Sequence, residues 1–199
     1  MRSLALFVDV LDIELQVLAW GLLAVAAWVF LRFALRRQNA ALDRGFGFAF
    51  TAIGVYALVM GVWASVAWPL PSSYNIVLSD PYALYGVAML MLGLALAYGA
   101  GLEGPLYTIA LLSLSVFVYG ADILSYGLTK EPIAAFLMYF LVGLSGLLGP
   151  LLLYRRTSRR GAYLEIALLV LAALLAAYTG ASATFEHTAG WTKWVPFYG

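Results

Sequence analysis

The sequence predicts an all-α protein, a bundle of six transmembrane helices. Three observations carry this. The 199 residues are 64% hydrophobic and only 11% charged, against about half and about a quarter in soluble domains. Six apolar runs approach the roughly 20 residues needed to cross a hydrocarbon core of about 30 Å. Alternation of apolar and polar residues is missing, which argues for helices and against a barrel, the other structure that satisfies a backbone in lipid.

The runs lie at about residues 13–35, 46–68, 81–100, 105–128, 132–154 and 163–182. The first has a charge-free centre from Val17 to Leu31. Its N-terminal flank holds Arg2 but then Asp9, Asp12 and Glu14, with no small-x-small site. That flank does not read as a cleavable signal peptide, so the first span is expected to stay. The second run ends against Pro69 and Pro71. The next three open at Asp80-Pro81, Gly104-Pro105 and Glu131-Pro132. Each proline fits a first helical position, where its missing N–H costs nothing, and Asp80 reads as the N-cap of the third helix. Pro150 falls near the end of the fifth and is expected to disturb its last turn. The sixth run is followed by a tail, residues 183–199, with Phe185, Trp191, Trp194, Val195 and Phe197. The tail is too polar and short to span. It is expected to fold over the outer face, against the Pro69–Ser79 loop. The whole chain is then one transmembrane domain.

Charge gives an orientation. Loops after helices one, three and five carry Arg32, Arg36, Arg37, Arg44, Arg155, Arg156, Arg159 and Arg160, eight of the eleven basic residues, against Asp43, Glu103 and Glu165. The other side has Arg2, Lys130 and Lys193 against Asp9, Asp12, Glu14, Asp80, Asp122, Glu131 and Glu186. Basic excess marks the cytoplasmic side. The expectation is three helical hairpins with cytoplasmic turns and both termini outside, in the cell membrane. Trp63, Trp68, Tyr74, Tyr82, Tyr85, Tyr119, Tyr126, Trp191, Trp194, Phe197 and Tyr198 gather towards the outer side, as in an interfacial aromatic belt.

Composition excludes several chemistries. Without cysteine, and with His187 as the single histidine, the chain alone offers no disulfide, thiolate metal site, bis-histidine haem or three-histidine zinc site. No basic-aromatic tract suggests nucleic acid. Two Asn and two Gln hint at a thermophilic source. No cofactor is expected.

Small residues mark packing faces. Gly47, Gly54 and Gly61 repeat every seven residues in helix two; Gly86, Gly93 and Ala100 do so in helix three. Gly143, Gly146 and Gly149 lie in helix five. Lipid gives helices no hydrophobic reason to associate, so close approach through small residues supplies contact. Packing within the chain is the simpler reading; a homo-oligomer or larger complex is the other.

Ionisable residues within spans are functional candidates. Asp122 leads. Ser125 and Tyr126 follow it by three and four positions, and Tyr119 precedes it by three, so all share a face. Asp80, Glu186 and His187 fall on the same side of the membrane, and carboxylates with one imidazole suit a divalent cation. The plain alternatives are a cap for Asp80 and pairing with a tyrosine or Lys130 for Asp122. Glu103 and Glu165 are expected to pair with the arginine clusters. No charge falls at a predicted midplane, which disfavours a carboxylate relay.

The stretch Trp68-Pro-Leu-Pro-Ser-Ser-Tyr74-Asn75-Ile-Val-Leu-Ser-Asp80-Pro81, with Tyr85-Gly86 after it, resembles a family of archaeal and bacterial polytopic membrane proteins, domain of unknown function nine-eight-one. The resemblance implies no activity; it points to Tyr74, Asn75 and Asp80. The leading functional expectation is a non-catalytic component of a membrane assembly. The alternatives are a small cation or solute transporter or channel with an outward-facing acidic site, and a lipid-modifying enzyme that pairs His187 with a carboxylate.

Overall fold

The computed structural model describes residues 5–7, 9–37, 39–154, 158–190 and 194–196. Among the described residues, six helices are long and apolar enough to cross a membrane. They are α1 (Leu11–Val29), α2 (Ala40–Ala67), α3 (Tyr74–Tyr98), α4 (Glu103–Tyr126), α5 (Pro132–Leu148) and α6 (Ser158–Gly190). A π-helical turn, Phe30–Ala34, continues α1, and a 3-10 turn, Gly149–Leu153, continues α5 through Pro150. Two short strands, β1 (Ala5–Phe7) and β2 (Trp194–Pro196), pair in parallel with Leu6 opposite Val195. They hold the segment before α1 beside the segment after α6, at one end of the bundle. The arginine-bearing connections lie at the other.

Helices α2, α3 and α6 run at least five residues past the limits expected from hydropathy, because polar residues beyond an apolar run can still be helical. Asn39 caps α2, its Oδ1 accepting from the Ala41 N–H at 2.9 Å. Helix α6 has 33 residues, about 50 Å at 1.5 Å each. It continues through Glu186 and His187, so residues 183–190 of the expected tail are helical. The described part of the remaining tail, Trp194–Pro196, pairs with β1. Trp191, Phe197 and Tyr198, like Arg155 and Arg156, lie outside the described residues.

Helix α3 corrects the sequence reading most. It begins at Tyr74, with Ser73 at the cap position, and Pro81 falls inside it. Asp80 is therefore not an N-cap. Asn75 explains the earlier start. Buried completely, it accepts from the Leu70 N–H at 3.2 Å and donates to the Ala64 carbonyl at 3.0 Å. One amide thus stitches the end of α2, the connection and the first turn of α3. Pro81 cannot donate to the carbonyl four residues back, which belongs to Val77. The Tyr139 hydroxyl of α5 donates to that carbonyl at 2.6 Å, so the buried acceptor is satisfied from another helix.

The helices neighbour one another in the order α2, α3, α4, α5, α6, α1. The glycine faces of α2 and α3 meet each other, as packing within the chain requires. A methyl on Gly54 would stand 2.4 Å from the Leu90 nitrogen, and one on Gly86 2.2 Å from the Leu58 nitrogen. Gly143 and Gly146 play a similar part against Phe117 and Ser113 of α4. Exposed tyrosines occur at both ends, not the outer side alone. Tyr98, Tyr107, Tyr154 and Tyr163 mark the arginine end, and the Tyr107 and Tyr154 hydroxyls meet at 2.6 Å.

Candidate functional site

The bundle is not solid. A cavity of about 160 Å³ lies among α1, α3, α4, α5 and α6, with no α2 residue in its wall. Its α1 wall runs from Leu11 through Glu14, Leu18, Leu22 and Val25 to Val29. That is a stripe at helical spacing, and Glu14 to Val29 alone cover about 22 Å at 1.5 Å per residue. The cavity is almost wholly apolar, with Glu14 near the terminal end and Glu165 near the arginine end.

Glu14 is the unusual group. It is 1% exposed, and neither carboxylate oxygen has a hydrogen-bond partner. Leaving a buried carboxylate without a partner costs several kcal/mol (about 3–5 when a pair is broken). Tyr82 and Tyr85 share the cavity wall. Their hydroxyls are also buried without partners, and their ring centroids lie 5.9 Å apart at 33°. Gly21 leaves the room for Tyr85, since a methyl there would sit 1.9 Å from its hydroxyl.

Glu165 departs from expectation. It does not face the arginines but turns inward, 6% exposed, and accepts from Ser145 Oγ at 2.5 Å. Helical phase decides this. Glu165 lies three residues after Ala162 and four before Leu169, both buried. On the arginine side, Asp43 does find a basic partner. It pairs with Arg32 at 2.7 Å and accepts from Trp28 Nε1 at 3.1 Å.

The residues expected to form an outer acidic site divide among three local groups. Asp80, half-buried, accepts from Ser65 Oγ at 2.6 Å, with Tyr119 beside it and Asp122 within electrostatic reach of Tyr119. Tyr126 closes α4 as an exposed residue. Glu186 pairs with Lys130 on the surface. His187 meets Asp12, Nδ1 to Oδ2 at 2.9 Å. Asp9 joins them: one ligand atom from each of Asp9, Asp12 and His187 lies within 4.8 Å of the others. Burial, then the neighbouring Asp12 carboxylate, hold the Asp9 carboxyl above its usual range, and His187 pulls the other way. Tyr74 opens α3, partly exposed, and Asn75 is the stitch already described.

Sequence reasoning missed Glu14 and Glu165 as interior groups, and Asp9 and Asp12 as partners of His187. A signal for Glu14 existed: it lies in phase with Leu11, Leu18, Leu22 and Val25, the apolar stripe of its own helix. No local pattern could link residues 12 and 187.

A six-helix bundle of this kind, with its Tyr74-Asn75…Asp80-Pro81 segment in place, fits the resemblance read from the sequence. The profile of the family described as protein of unknown function DUF981 matches residues 4–190. The chain belongs to that family. No curated protein and no solved structure matches it. For this DUF981 member the site geometry is therefore the guide to function.

Proposed function

We propose that the protein is a small multi-pass carrier of the cell membrane that takes a hydrophobic organic cation into its bundle, with Glu14 as the counter-charge. The observation that carries the reading is the pair of unpartnered, buried Glu14 oxygens at one end of an apolar cavity. A purely structural bundle gains nothing from such a group, and ionisable residues inside membrane proteins mark substrate paths by default. Tyr82 and Tyr85 strengthen the reading, because aromatic faces attract ammonium groups. Size sets the ligand class. A cavity near 150 Å³ holds a benzene-sized molecule, so a monoamine with a short aryl or alkyl body fits about 160 Å³.

The accessory-component reading stays as the alternative, and the α2–α3 glycine faces give it no support, because they are spent on packing within the chain. For a lipid-modifying enzyme, His187 and Asp12 supply an imidazole–carboxylate pair, but neither lines the cavity.

Equilibrium binding of benzylammonium and of neutral benzyl alcohol to the protein in nanodiscs tests the carrier. Saturable binding of the cation alone, lost in Glu14→Gln, is expected. Equal binding by the Gln variant, or no saturable binding, overturns it.

A further inference from the structure

We propose that Asp9, Asp12 and His187 form a divalent-metal site, of zinc type, that joins α1 to α6. This site is separate from the cavity and independent of the carrier reading. None of its three residues lines the chamber.

The geometry comes first. The three side chains each offer one ligand atom, all within 4.8 Å of one another, with Asp12 buried, His187 partly buried and Asp9 exposed. Ligands at about 2.0–2.2 Å from tetrahedral zinc stand roughly 3.3 Å apart. His187 Nδ1 and Asp12 Oδ2 lie at 2.9 Å and need to part by only a few tenths of an ångström to share an ion, and the exposed Asp9 closes in from within 4.8 Å. Three protein ligands leave a fourth position for water, the pattern of an open zinc site.

A second observation points to a ligand. Asp12 is only 4% exposed, and its Oδ1 has no hydrogen-bond partner. A buried acceptor of that kind carries a full desolvation cost unless something meets it. A cation between Asp9, Asp12 and His187 that Asp12 grips with both carboxylate oxygens meets it, and it neutralises two adjacent carboxylates. The imidazole selects the metal class. Oxygen ligands alone suit Mg²⁺ or Ca²⁺, whereas a mixed nitrogen and carboxylate set suits zinc and its neighbours.

The placement suits a clamp. Asp12 is in the first turn of α1 and His187 in the last turn of α6, and the β1–β2 ladder ties the flanking segments. Gln16 Nε2 donates to Thr184 Oγ1 at 3.3 Å one turn deeper. Metal binding would lock two helix ends already side by side, so little ordering remains to oppose it.

The test is calorimetric titration of the full-length protein, stripped with chelator and held in detergent, with Zn²⁺, Ca²⁺ and Mg²⁺ in separate runs. One Zn²⁺ per chain is expected, with Ca²⁺ and Mg²⁺ at least a hundredfold weaker. His187→Gln and Asp9→Asn should each weaken Zn²⁺ binding at least tenfold. Asp9 is exposed, so its variant keeps the fold, and an unchanged melting profile without metal verifies this. Zn²⁺ should raise the melting temperature of the wild type and leave that of Asp9→Asn unmoved. Absent Zn²⁺ binding, affinity unchanged in both variants, or preference for Ca²⁺ or Mg²⁺ each overturns the site.

Discussion

The α2–α3 interface and the space enclosed by the other helices are opposite solutions built by one chain. Along α2 and α3, Gly47, Gly54 and Gly61 face Ala97, Leu90 and Ala83 so closely that added methyls would meet backbone atoms at 2.3–2.5 Å. Between α1 and α3–α6, large side chains such as Leu22, Tyr85 and Met138 line a void. In lipid there is no hydrophobic drive between helices, so contact comes from packing and from hydrogen bonds. Small residues let two backbones touch; large ones hold helices apart and leave gaps where their shapes do not mesh. The first pair leaves no space between its backbones, and the second set encloses a cavity.

The largest expected effect falls on the open side. Glu14→Gln should weaken benzylammonium binding at least about a hundredfold, the scale for removing one partner of a buried charge pair. Glu14→Leu should abolish it and yet raise the melting temperature of the ligand-free protein, because an unsatisfied buried polar group costs about 1–3 kcal/mol or more. Loss of both binding and stability would make Glu14 a structural residue and dissolve the contrast between the two regions.

On the closed side, Gly54→Ala should destabilise by about 1–3 kcal/mol, since overpacking forces backbone shifts. Gly45→Ala, where a methyl meets open space, is the control. It should stabilise slightly, because alanine favours helix over glycine by about 1 kcal/mol. Equal effects at the two glycines would mean that the seam is looser than its distances.

The bond that joins the two regions gives an effect of similar size. Tyr139→Phe removes the donor to the Val77 carbonyl and should cost about 1–3 kcal/mol. Pro81→Ala restores a backbone N–H for that carbonyl, so the double variant should recover most of the loss. Additive losses would show that the hydroxyl does not substitute for the missing helical bond.

The last prediction concerns orientation and leaves stability untouched. With no native cysteine, single cysteines at Ser73 and Arg159 should react from opposite sides, Arg159 from the cytoplasm. Labelling of both from outside would overturn the expected topology.

Much of this was legible in the residues themselves. Six apolar runs specified six helices because backbone satisfaction in lipid leaves helices or a barrel, and the run lengths and the missing alternation exclude the barrel. The seven-residue glycine repeats identified the faces that meet. Helix ends were read less well. Proline at 81 resembles a helix start, but the Asn75 stitch and the distant Tyr139 hydroxyl let the helix begin seven residues earlier.

The sequence by itself determined which segments form helices long and apolar enough to cross a membrane and which faces are small enough to touch, since both follow from the pattern within one helix. Only the tertiary structure decided which charges are alone and which are paired. Glu165 turned from the arginines to Ser145, His187 left the expected outer group for Asp12, and Glu14 closed into a chamber without a partner. Those outcomes depend on the rotation of each helix against neighbours up to 175 positions away in the chain, and no local pattern encodes that rotation.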